Sequence, residues 1–282
     1  MIARVPASSA NLGPGFDALA VALTRYIEVS VTPAESFTIS SSGYGAGLFD
    51  DERHLGAQVA AQVLGHDHFA IHVNSEIPLS RGLGSSAALA LAAAAAAGSP
   101  TALSLACAVD GHAENAAASM YGGLVVATLD ADGDVVTRAL ELDPEWKFVV
   151  VVPDEELATA AARRVLPAQV AFADAVANVG AVAMLIAGLA RREEFVAASM
   201  QDRLHQPYRN ALLPFAAPLL ERLRDAGAAG SCWSGAGSTM LALCDQGASG
   251  DVASAAREFL VERSLPGVVW ELDADRRGLQ LH

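Results

Sequence analysis

The sequence predicts an α+β protein in two halves that meet near residue 150. Three observations carry that prediction. Short strand-like runs dominate the chain as far as Pro153, and helical patterns dominate after it. Glycine-bearing loops recur between strand and helix signals in both halves. With 282 residues there is chain enough for one large core or two modest ones. We place the division at 1–150 and 151–282.

The elements follow in order. Met1–Val5, Tyr26–Thr32 and Phe37–Ser41 read as strands, followed by a helix over His54–Leu64 and a strand over Phe69–Asn74. Leu89–Ala97 is strong helix former, and a second helical stretch runs from Thr101 to Ser119. Gly122–Leu129 and Asp134–Leu140 flank Asp130-Ala131-Asp132-Gly133, a strong turn signal, and so predict a hairpin. Consecutive β-branched residues over Lys147–Val152 predict a buried strand closed by Pro153. Helices are expected over 155–165, 170–191, 193–204 and 215–226. Strands at Gly230–Trp233 and Thr239–Cys244, a helix at 249–263 and a strand at Gly267–Leu272 complete the reading.

Composition narrows the classes. Apolar residues make up 52%, mostly Ala, Val and Leu, against 6% aromatic, which suits closely packed α/β layers. No apolar run reads as a membrane span, the Ala-rich 87–97 stretch being too short. The first residues read as a strand start rather than a signal peptide. A net charge of −14 argues against nucleic acid or an anionic membrane as partner. It leaves room for ATP, whose phosphates backbone amides and a divalent cation can hold. Cys107, Cys232 and Cys244 have no paired metal spacing and fit reduced thiols in a cytoplasmic protein.

The segment Gly82-Leu83-Gly84-Ser85-Ser86-Ala87-Ala88 is the most informative in the chain. Its two glycines clear side chains from the backbone, so N–H groups can close on an anion. The helix that follows puts Ser85 and Ser86 at its N-terminus, where unpaired amides and the dipole favour phosphate. Taken alone, a Gly/Ser linker running into an Ala-rich helix is an equal reading. The segment lacks the Gly-Lys-Ser/Thr ending of a P-loop.

Two further glycine loops frame it: Pro6–Asp17, with Asn11-Leu12-Gly13-Pro14-Gly15-Phe16-Asp17, and Ser234-Gly235-Ala236-Gly237-Ser238. The three, in order and spacing, resemble the three signature motifs of the GHMP kinases. Gly111-His112-Ala113-Glu114-Asn115, Thr159–Pro167 with Arg163, and Asp202-Arg203-Leu204-His205-Gln206-Pro207-Tyr208-Arg209 are similar to segments of the homoserine kinase branch. The resemblance covers residues 3 to about 245. It implies a ribosomal S5 domain 2-like N-terminal domain and a ferredoxin-like C-terminal domain, both contributing to the substrate pocket.

It also implies roles. Asn11, Asp17, His112, Glu114, Asn115, Thr159, Arg163, Arg209 and Gly235 are expected to bind the amino acid, with Asp17, Asn115 and Arg163 nearest the chemistry. Arg163 and Arg209 can each fork onto a carboxylate. Pro78, Leu79, Ser80, Arg81, Gly82, Leu83, Gly84, Ser85, Ser86, Ala87 and His54 are expected around ATP. Ser86 and Asp110 are the expected Mg²⁺ ligands. Glu114, Asp110, His54 and Ser238 depart from the residues usual in the family. Read alone, Asp17 serves equally as a turn cap and His112 as a satisfied loop residue.

The function so implied is ATP-dependent phosphorylation of L-homoserine, in the cytoplasm and in a chain that can pair as a homodimer. Two alternatives stand beside it. One is a kinase of this fold acting on another small alcohol, and the other is a non-catalytic sensor of nucleotide or amino acid.

Overall fold

The computed structural model, which describes residues 1–282, builds the chain around two sheets. In the first, Ile2–Ala10 (β1) and Leu19–Pro33 (β2) pair antiparallel. Thr38–Gly43 (β3), Leu55–Leu64 (α1) and Phe69–Ser75 (β4) follow, with β3 parallel to β4 and β4 antiparallel to β2. Helices Ser85–Ala96 (α2), Ala102–Asp110 (α3) and Glu114–Tyr121 (α4) come next. The hairpin Leu124–Leu129 (β5) and Val135–Leu140 (β6) pairs with the first part of β2. Every residue of α2 except Ser86 is buried. Its alanines let α1, α3, α4 and the β1–β2 sheet close in on it from all sides.

The second sheet contains Lys147–Pro153 (β7), Gly230–Trp233 (β8), Met240–Cys244 (β9) and Gly267–Leu272 (β10). Its order is β10-β7-β9-β8, antiparallel throughout. Between β7 and β8 lie Thr159–Arg164 (α5), Phe172–Ala190 (α6), Gln206–Arg209 (α7) and Ala216–Asp225 (α8). Ser249–Glu262 (α9) connects β9 to β10. This is the β-α-β-β-α-β arrangement of ferredoxin-like sheets. Leu219 and Leu223 of α8 and Val252 and Phe259 of α9 bury against Val149, Val151 and Ala242. A last strand, Gln280–Leu281 (β11), returns to the edge of the first sheet beside β1.

Several elements differ from expectation, each for a physical reason. β1 runs on through Pro6 to Ala10, because Pro6 sits at a register shift where no ladder N–H is required. β2 begins at Leu19, well before Tyr26; its alanine-containing first part is wholly buried and shows no alternation. The 101–119 helix breaks at Gly111, φ +76°, so Glu114 and Asn115 open a new helix instead of ending one. The 193–204 stretch is two short 3₁₀ turns, Arg192–Glu194 and Ala197–Met200. Phe195 between them packs edge-on against Trp146, ring centroids 5.2 Å apart. The change of sheet falls between Leu140 and Lys147, slightly before residue 150, since all of β7 is bonded into the second sheet.

One helix is, by length and composition, apolar enough to cross a membrane: α6, with a mean hydropathy of 1.8 over its best window, where no such run was expected. Its inner face is packed in the fold and carries the buried Asn178, which donates to Pro14 O at 2.7 Å.

Candidate active site

The three glycine loops meet at one point. β1 ends in a run of left-handed backbone: Asn11 at φ 75°, Leu12 at 47° and Gly13 at 77°, with Asp17 at 53° closing the turn. Asn11 pins the turn, its Oδ1 accepting from Asp17 N and its Nδ2 donating to Gly235 O at 2.8 Å. Gly235 N returns a bond to Ala10 O. Ser234 Oγ lies 2.7 Å from Gly82 O and 2.8 Å from Ser9 Oγ, so one hydroxyl ties all three loops together.

At the second loop, Gly84 takes φ +67° and precedes α2 without any side-chain cap. The N–H groups of Ser85, Ser86 and Ala87 have no protein acceptor, the first helical bond being Ala88 N to Gly84 O. They form an anion-binding helix end. A β-carbon on Gly84 would meet Ser8 Oγ at 2.2 Å. Ser8 Oγ in turn bonds Asn115 Oδ1 at 2.9 Å.

Beside this helix end opens a cleft of about 690 Å³, lined mostly by polar groups. Asn11, Asp17, His112, Glu114, Asn115, Thr159, Arg163, Arg209 and Gly235 all face it, as do Ser86 and Asp110. Both signs of charge are present. Arg163 donates to Asp17 Oδ1 at 2.7 Å. Thr159 and Arg163 stand four residues apart on α5 and so share a face. Glu114 is 3% exposed, and its Oε2 has no partner. Burial raises its carboxyl to about 7, with the charges of Asp17 and Asp110 adding to the shift against His112. His112 lies 3.6 Å from Asp110 Oδ2, and that contact raises its imidazole above the usual value.

Arg209 is 1% exposed. Burial, and then the neighbouring Arg163, lower its guanidinium to about 10, which still leaves it charged at neutral pH. The Asp202–Arg209 segment is built to place it. Asp202 caps α7 by accepting from the N–H groups of Leu204, His205 and Gln206. Gln206 Oε1 accepts from Trp233 N on β8. Phe16 stacks on His205, centroids 4.8 Å apart, and both arginines lie over its ring.

A second, more apolar cavity of about 820 Å³ adjoins the first and shares Ser80, Ser85 and Ser86 with it. Tyr44, Phe49, Leu55, Leu79, Leu89 and His54 line it. His54 caps α1, its Nδ1 accepting from Gly56 N at 3.1 Å, which leaves the proton on Nε2. Burial lowers its basicity, against the nearby charges of Asp50 and Asp51.

Of the expected nucleotide residues, Gly82 and Gly84 line the polar cleft, Leu79 and His54 the apolar cavity, and Ser80, Ser85 and Ser86 both. Pro78, Arg81, Leu83 and Ala87 line neither. The Arg81 guanidinium is held by the carbonyls of Leu79 and Pro153. Leu83 and Ala87 are core side chains, though the Ala87 N–H remains unpaired. Sequence reasoning missed Tyr44 and Phe49, which sit in an exposed-looking Gly-rich stretch, and the Phe16–His205 stack, whose partners are far apart in the chain.

No three His, Cys, Asp or Glu side chains cluster as a metal site. One hydroxyl, Ser86, and one carboxylate, Asp110, face the same cleft. That donor set fits a Mg²⁺ whose remaining ligands are phosphate and water.

Comparison with known proteins agrees with this geometry. Residues 53–123 match the GHMP kinases N-terminal domain and residues 185–262 the GHMP kinases C-terminal family. The homoserine kinase of Desulfitobacterium hafniense is 35% identical, over 98% of this chain and 97% of its own. That of Cutibacterium acnes is 42% identical, over 85% and 87%. A crystal structure of homoserine kinase from Cytophaga hutchinsonii superposes with a TM-score of 0.86 at 27% identity, over 99% of this chain and 96% of that one. Three stitched glycine loops, an unpaired helix end and a doubly charged cleft thus stand in a chain that belongs to the homoserine kinases of the GHMP kinase family.

Proposed function

We propose that the chain transfers the terminal phosphoryl group of ATP to the side-chain hydroxyl of L-homoserine, a step of threonine biosynthesis, releasing ADP and O-phospho-L-homoserine. The observation that carries this reading is the lining of one cleft by two arginines and three carboxylates (Asp17, Asp110 and Glu114) beside the free N–H groups of α2. An α-amino acid with a hydroxyl needs that combination.

In this reading the ATP phosphates rest on Gly82, Gly84 and the N–H groups of Ser85, Ser86 and Ala87, with the base in the apolar cavity beside His54, Tyr44 and Phe49. Arg209 and Arg163 take the homoserine carboxylate. Glu114, with its unpartnered oxygen, takes the ammonium, and Asp17 and Asn115 orient the hydroxyl toward the phosphates. Ser86 and Asp110 would hold Mg²⁺, which neutralises phosphate charge when bound. Positioning and charge stabilisation account for the catalysis, and no strong general base is assigned.

The remaining features fit the same reading. The parts built on the two sheets, dividing between Leu140 and Lys147, act as the two domains, with the site between them. Free, buried Cys107, Cys232 and Cys244 suit a cytoplasmic setting. The exposed, uncharged side of α6 with Phe172, Val176 and Val179 supports pairing of two copies, which sedimentation tests.

The deciding experiment is ADP release with Mg·ATP and L-homoserine, run beside L-serine, L-threonine and mevalonate. Turnover with homoserine alone is expected. Turnover only with another alcohol would move the substrate, and nucleotide binding without turnover of any would favour a sensor.

A further inference from the structure

His205 is fully buried and has no part in the reaction as assigned above. Its ring nitrogens have two obligatory partners. Arg209 Nη1 lies 3.1 Å from Nδ1, and Gly13 O lies 2.8 Å from Nε2. A guanidinium only donates and a carbonyl only accepts. Nδ1 is therefore the acceptor, and the single ring proton sits on Nε2. Asp202 Oδ2 is 3.4 Å from Nε2 but already accepts from two backbone N–H groups. Burial keeps the ring neutral, lowering its basicity to about 4.

The consequence falls on Arg209. Of its five N–H bonds, Nε–H goes to Ala162 O at 3.3 Å and the two on Nη1 go to His205 Nδ1 and to Gly235 O at 3.0 Å. Only Nη2 is left for an incoming anion. Without the His205 acceptor, one Nη1–H loses its partner and the fork loses its link to Gly13 of the first loop.

We propose that His205 is the positioning residue of the carboxylate clamp: it fixes the Arg209 guanidinium against the first glycine loop and thereby sets the preference for substrates that carry a carboxylate. This rests on the homoserine reading. The test compares L-homoserine with 3-aminopropan-1-ol, which has the same alcohol and amine but no carboxylate. His205→Phe keeps an aromatic ring against Phe16 and removes both nitrogens.

The expected result is a fall of about 100-fold in kcat/KM for homoserine, mostly in KM, as for truncating one partner of a buried charged hydrogen bond. The aminoalcohol should lose less than about threefold, since its binding does not use the clamp. In an Arg209→Ala background His205→Phe should add nothing further. Equal loss for both substrates, no loss, or additive effects would overturn the proposal. In the wild-type protein, ¹⁵N NMR should show a neutral Nε2–H tautomer at pH 7, and an Nδ1–H tautomer or an imidazolium would also overturn it. A wild-type enzyme indifferent to the carboxylate would defeat the homoserine reading itself. A wild type that discriminates, with a His205→Phe variant that still does, defeats only this inference.

Discussion

A β-carbon on Gly82 would stand 2.1 Å from the carbonyl oxygen of Ser234, so the second and third glycine loops touch backbone to backbone. Gly82 also has φ +75°, where an L side chain is strained. Its carbonyl takes the Ser234 hydroxyl. The second glycine loop is thus shaped from the far side by the turn between β8 and β9.

Gly82→Ala should therefore destabilise the fold by about 2–5 kcal/mol, left-handed strain and overpacking acting together. Urea denaturation measures that loss. In whatever fraction folds, the KM for ATP should rise more than the KM for homoserine. A fully stable variant with unchanged ATP kinetics would mean that the loops can separate without consequence.

Glu114 gives a pH signature. Its carboxyl is raised to about 7 by burial, so the protonated form prevails below that pH and cannot pair with an ammonium. The KM for homoserine should climb as pH falls below about 7, approaching tenfold per unit. For stability the sign is opposite. A pKa raised in the folded state adds stability that is whole below the unfolded value of 4.5 and fades as pH rises through about 7. Glu114→Gln should flatten the thermal midpoint over that span and abolish the acid limb in KM. If the limb survives in Glu114→Gln, the titrating group is His112.

At His54, cap and ligand roles separate. His54→Ala removes the acceptor for Gly56 N and should cost about 1 kcal/mol of stability. His54→Asn keeps a cap and should restore the melting temperature. His54→Ala should also raise the KM for ATP several-fold, roughly the effect of losing one hydrogen-bond donor, whereas His54→Asn, which keeps an amide donor, should raise it less; neither should touch homoserine. An unchanged ATP KM in both variants would remove His54 from the base pocket.

For Asp110, the readout is the metal. Asp110→Asn should raise the Mg²⁺ concentration for half-maximal activity about tenfold, one charged ligand having become neutral. Melting without Mg²⁺ should change little. A Mg²⁺ dependence identical to wild type would assign the cation to other groups.

Much of the site was legible because its chemistry is local in sequence. Gly82–Ser86, Asn11–Asp17, Gly111–Asn115 and Asp202–Arg209 each present their groups within one turn or loop, and the structure brings all four segments to one cleft. What was hidden is long-range. Nothing near Phe16 announces that it stacks on His205, and nothing near Ser9 announces Ser234. In the fold, Pro6 suggested the end of a strand that continues through a bulge. The two-residue β11 has no periodicity to read and is held by its pairing with Ala3 and Arg4.

The Ser234 hydroxyl reaches back 152 positions to Gly82. A ribosome emits these segments in order, so the nascent chain carries a complete glycine loop and helix long before the turn that shapes it exists. ATP binding should therefore switch on late in synthesis, after β9 has left the exit tunnel. A fragment ending before Ser234 should hold nucleotide weakly, so a chain that has already made β9 is the first form able to draw on the cell's ATP pool.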